Sequence, residues 1–137
     1  MSISELYESQ RVISLSEYGD IVAEGNVLRL PSGEALKLRL RLIDESFLEV
    51  NVSASGRYSY HWERRLTGRA DIYRFDNAPH SVWRRVSTYP AHFHNGGDEA
   101  VETSDISQDP LQAIRQVLTF VRGKLHAERL EQEKREP

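Results

Sequence analysis

The stretch "ALKLRLRLI", residues 35–43, decides the fold. Leu36, Leu38, Leu40 and Leu42 point one way, and Lys37, Arg39 and Arg41 point the other. Successive side chains alternate across a strand, so this pattern predicts a strand with one buried and one wet face. That is the usual state in an antiparallel sheet. Turn chemistry brackets it, with "PSGE" at 31–34 before and "DES" at 44–46 after. Upstream, "DIVAEGNVLRL" reads as β-rich with a bend at Gly25-Asn26, and downstream "FLEVNVSA" returns.

The alternation continues in "YSYHWERR". Tyr58, Tyr60 and Trp62 share one face, and Ser59, His61 and Glu63 the other. "LTGRA" turns the chain and "DIYRFDNAP" runs back. Tyr73 and Phe75 then face the core, with Arg74 and Asp76 on the wetter side. "STYPAHFH" is the last extended run, ended by "NGG". Such spacing predicts a meander.

Both ends change period. Residues 3–10 form a short helix with Ile3, Leu6 and Tyr7 inward. Asp109 and Pro110 are an N-cap and a first helical residue. Leu111, Ile114, Val117, Leu118, Val121 and Leu125 then recur at three- and four-residue steps. The expected class is α+β: an antiparallel meander sheet flanked by a short N-terminal and a long C-terminal helix. Residues 1–126 form one domain, and residues 127–137 are a charged tail that frays, having little to bury.

Composition narrows the function. The 137 residues suffice for one core. The absence of cysteine excludes a disulfide scaffold and a thiolate zinc site. No secretory leader and no apolar span is visible, so a cytoplasmic protein without membrane contact is expected. The net charge of −3 conceals a basic island. Residues 57–94 hold seven arginines against three acids and four of the five histidines, between acidic flanks. A field of that sign attracts anions, nucleic-acid backbones among them.

Within the island, residues 74–94 concentrate Arg74, Asp76, Asn77, His80, Trp83, Arg84, Arg85, His92 and His94. His92 and His94 lie two apart on an extended run and so share a side. Histidine suits proton transfer at neutral pH, and the arginine fork suits phosphate. Cleaving RNA at its 2′-hydroxyl needs those groups. His80, His92, His94 and Asp76 are therefore the catalytic candidates. Arg74, Asn77, Arg84 and Arg85 would hold substrate, while Tyr58, Tyr60 and Trp83 would stack bases. No cofactor is expected. A transition metal at His92 and His94, with His80 or Asp76, is the minor alternative, since nearby arginines oppose a dication. In the structural alternative, Asp76 and Asn77 cap a turn and the histidines sit on a solvated face. His61 and His126 stay outside the site.

The elements "YSYHW" (58–62), "YRFDNAPH" (73–80) and "TYPAHFH" (88–94), followed by an acidic stretch and a terminal helix, resemble the TumE family over roughly residues 35–125. The resemblance implies a toxin of a two-gene module with a small helix-turn-helix antitoxin as partner. It also implies a longer N-terminal helix than residues 3–10. Three positions depart from the family's histidine-rich pattern: Ser81, Ala91 and Phe93. Arg74, Asp76, Asn77, Pro79, His80, Pro90, His92 and His94 keep it. The leading expectation is thus a toxin acting as a metal-independent ribonuclease, with RNA and an antitoxin as partners. A non-catalytic nucleic-acid- or partner-binding module and a metal-dependent enzyme are the rivals. A homodimer through a sheet edge is also expected.

Overall fold

The leucine alternation becomes a strand whose Leu38, Leu40 and Leu42 are fully buried, while Leu36, at the strand's start, stays 48% exposed. The computed structural model describes residues 1–136. The chain runs α1 (Ile3–Glu17), β1 (Val22–Arg29), β2 (Ala35–Leu42), β3 (Phe47–Val52), β4 (Tyr58–Glu63), β5 (Ile72–Asp76), β6 (His92–Gly96), β7 (Val101–Thr103) and α2 (Pro110–Arg135). All seven strands pair antiparallel with their sequence neighbours. The fold is the expected α+β meander between a shorter N-terminal and a longer C-terminal helix. No helix among the described residues is long and apolar enough to cross a membrane.

Both helices cover one face. The side chain of Phe120 from α2 meets the rings of Trp62, Tyr73, Phe75 and Phe93 on three strands, at centroid distances of 5.3–6.4 Å. All four contacts are edge-on, a geometry that ring quadrupoles favour. From α1, Gln10 donates to the hydroxyl of Tyr60 and to the carbonyl of Pro110, tying both helices to β4.

Several local expectations are corrected. Helix α1 runs to Glu17, not to residue 10. Its buried face carries Gln10 and Ser14 beside Tyr7 and Ile13, so an apolar period fades where the helix continues. Ser2 caps it by accepting from the amide of Glu5. Gly25-Asn26 is not a bend, because β1 passes straight through it. Glycine is needed there for close approach: a Cβ would lie 3.0 Å from Leu40 Cδ2 and 3.4 Å from Arg11 Cγ. The run 87–94 is extended only from His92, since residues 81–90 make a 3₁₀ turn followed by further turns. The stretch "NGG" does not end the run, because β6 continues through Asn95 to Gly96 before the hairpin with β7, a strand not anticipated.

The charged C-terminal segment stays helical to Arg135. Its anchor is Glu128, whose carboxylate binds Arg64 Nη1 and Nη2 at 2.7 and 2.6 Å. Arg64 is 1% exposed, also binds Asp44 and Asp71, and stacks over Trp62. A buried ion cluster between β4 and the helix thus holds a segment that has almost no apolar side chains.

Candidate functional site

Register brings the candidates together. On β5 and β6, Arg74 stands opposite His94 and Asp76 opposite His92. Tyr73 and Phe75 point to the helices, so these four side chains point to the other face. That face is not wet here, contrary to expectation. The segment 77–91 folds back over it and sets Trp83 against both imidazoles, with ring centroids 6.1 and 5.7 Å away. Thr88 pins the segment by donating to the carbonyl of Ala91 and accepting from the amide of Ser104. As a result Asp76, His92 and His94 are only 7%, 1% and 2% exposed.

The polar atoms are largely satisfied. Asp76 Oδ1 accepts from the amide of Ala78 at 2.9 Å, and Oδ2 accepts from Arg74 Nε at 3.0 Å. His92 Nδ1 faces the carbonyl of Pro90 at 2.8 Å, and His94 Nδ1 faces that of Asp98 at 2.9 Å. A carbonyl only accepts, so Nδ1 carries the proton in both rings. Both Nε2 atoms therefore turn toward Asp76. That of His94 accepts from Arg74 Nη2 at 3.3 Å. That of His92 lies 3.0 Å from Asp76 Oδ1, but obliquely, and is left buried without a well-directed partner. Burial pushes the pKa of His94 down; the hydrogen bond to the Asp98 carbonyl opposes this in part, and the neighbouring Arg74 cation reinforces it. The neutral form of His94 is therefore favoured.

A cleft of about 530 Å³ opens on this cluster. It is lined by Arg74, Asp76, His92 and His94, with His80 and Trp83 at its walls, and it reaches Tyr58 at the start of β4, whose side chain shares the side of Tyr60 and packs partly against the core. His80 is exposed on the covering segment. Four other candidates lie elsewhere. Tyr60 is buried on the opposite, helix-covered face, because its alternation with Tyr58 and Trp62 is a core pattern. Asn77 is a brace: Oδ1 accepts from the amide of Tyr58 and Nδ2 donates to the carbonyl of Gly56. Arg84 and Arg85 are exposed beyond the cleft, with Arg85 5.8 Å from the ring of Trp83.

Sequence reasoning missed Arg57, Asn51 and Ser59 on the cleft wall and Asp98 behind His94. Backbone contacts such as the Pro90 and Asp98 carbonyls leave no mark in a sequence. A β-turn residue beside a His-x-His strand was the only available hint of Asp98. The departures are instructive. Phe93 points to the helix side and stacks on Phe75 at 4.2 Å, so it does not enter the cluster. Ser81 is exposed at the start of the 3₁₀ turn.

No curated protein and no solved structure matches the chain. A family model does: the one described as Toxin TumE covers residues 10–125, spanning the sheet, the covered cluster and most of α2. The chain belongs to the TumE toxin family.

Proposed function

We propose that this toxin is a ribonuclease, and that its cleft breaks RNA phosphodiester bonds. What carries the reading is the convergence of Arg74, Asp76, His80, His92 and His94 in one cleft walled by Trp83 and reaching Tyr58. Arg74 is partly exposed and reaches a phosphate while keeping Asp76 as its counter-ion. Burial favours the neutral form of His94, and its Nε2, released when Arg74 turns from it to a phosphate, fits a base that takes the 2′-hydroxyl proton. His80, open to solvent, protonates the leaving 5′-oxygen. His92 stands opposite Asp76 on the neighbouring strand, with its ring fixed by the Pro90 carbonyl. Trp83 offers an aromatic face for a base. In this reading the proton transfers belong to histidine and survive a chelator. The family makes an antitoxin partner part of the proposal.

The test is cleavage of a labelled RNA by the purified protein in chelator, beside His80→Ala and His94→Gln, with folding checked by circular dichroism. Cleavage by the wild type and its loss in both folded variants is the expected result. RNA that binds but stays intact would assign the protein to the binding-module class instead. That binding would weaken steeply with salt through Arg74 and the exposed Arg84 and Arg85.

A further inference from the structure

We infer that Asp76, His92 and His94 form a binding site for one divalent transition-metal ion, and that Arg74 competes with the metal for it. One ligand atom from each of the three residues lies within 4.8 Å of the others. His92 Nε2 lies 3.0 Å from Asp76 Oδ1 and His94 Nε2 lies 3.7 Å from Oδ2, so each imidazole faces one oxygen of the same carboxylate. Donors held at about 2.1 Å from one ion stand roughly 3.0–3.4 Å apart in octahedral or tetrahedral geometry. Drawing the two imidazoles in around the carboxylate completes the set.

Three observations point to an ion rather than to a hydrogen-bonded cluster alone. Both Nδ1 atoms are tied to backbone carbonyls, which fixes each ring and leaves Nε2 as the ligand atom. That outer support is what metal-binding histidines characteristically have. His92 Nε2 then sets a lone pair against a carboxylate oxygen, with no well-directed donor between them, in a side chain that is 1% exposed. Two acceptors so placed repel unless a cation, a proton on Nε2 or a metal ion, lies between them. Finally, two imidazoles and one carboxylate, with the remaining positions open to a cleft, suit zinc, iron, nickel or manganese rather than magnesium or calcium.

Arg74 opposes the ion, because it already holds Asp76 Oδ2 and His94 Nε2. Its alternative partner is in place: the exposed Asp98 carboxylate lies 3.8 Å from Arg74 Nη2. Swinging onto Asp98 frees the carboxylate and the imidazole together. One lone pair cannot both bind a metal and take a proton, so the loaded cluster has no His94 base. The site itself does not rest on RNA cleavage.

The test is calorimetric titration of the chelator-stripped, dialysed full chain with Zn²⁺, and with Co²⁺ followed by its visible absorption. Wild type should bind one equivalent. Arg74→Gln, which keeps the ligands and the fold, should bind at least several-fold more tightly. His92→Gln and His94→Gln should each lose at least ten-fold. Absence of saturable binding in both wild type and Arg74→Gln would overturn the site. So would binding that both histidine variants leave unchanged, since His61 or His126 would then be holding the metal. A protein that binds Zn²⁺ but leaves RNA intact would sink the ribonuclease reading and leave this one standing.

Discussion

Replacing Arg64 by methionine should cost about 3 kcal/mol of stability. The guanidinium is fully enclosed and receives three carboxylates, from Glu128 in a two-pronged contact and from Asp44 and Asp71 at 3.1 and 3.2 Å. Methionine keeps an apolar stem over Trp62, where the guanidinium carbon now sits 4.2 Å from the ring centroid. The loss is therefore electrostatic rather than a cavity. Removing one partner of a buried ion cluster typically costs about 3–5 kcal/mol, and the lower end applies because water still reaches the carboxylates. With an unfolding entropy of about 0.3 kcal/mol/K for 137 residues, the melting temperature should fall by about 10 °C. Glu128→Gln leaves Arg64 two acids and should cost about 1 kcal/mol. Truncation after His126 should cost at least as much, whereas truncation after Gln132 retains Glu128 and should change little. Thermal unfolding followed by circular dichroism measures all four. A methionine variant within about 1 kcal/mol of wild type would refute the reasoning, as would a cost-free truncation after His126.

Three further outcomes are expected. Glu63 is gripped by the guanidinium of Arg65, which holds its carboxyl down at about 2. The folded value lies below the unfolded one, so the stabilisation is complete above the ordinary carboxylate range and vanishes as pH falls toward about 2. The melting gap between wild type and Glu63→Gln should be near 1 kcal/mol at pH 7, since Arg65 is largely exposed, and should close between pH ~4.5 and ~2; a gap indifferent to pH contradicts this. Gly25→Val should cost about 1–3 kcal/mol in a denaturant melt by forcing α1 off β1, and an unchanged melt would mean the helix does not seat there. Trp83→Ala should leave the fold intact yet weaken RNA affinity by roughly ten-fold in fluorescence anisotropy, in keeping with one lost stacked base; unaltered affinity would remove Trp83 from the substrate surface.

The expected elements were legible where side-chain period and burial agree. Residues 35–42 and 58–63 announce their strands because every second residue meets the same core. They were illegible where polar residues are buried. Gln10 and Ser14 hid the second half of α1, and the three carboxylates around Arg64 hid the docking of residue 128. Among the site residues, Tyr60 misled for the converse reason. An aromatic in a basic island reads as a stacking platform, but its alternation already placed it in the core.

The sequence by itself determined the meander, the two helices and the shared side of His92 and His94, because those follow from covalent geometry within a few residues. It also carried the family's signature. Only the tertiary structure decided that Asp76 faces His92 and Arg74 faces His94, and that the segment 77–91 buries them under Trp83. Cross-strand register across a connection that long is set by packing, here Tyr73, Phe75 and Phe93 against Phe120, and not by any local preference. Burial and the backbone then set the surroundings of the two rings: burial lowers the pKa of His94, and the Pro90 and Asp98 carbonyls hold both Nδ1 atoms.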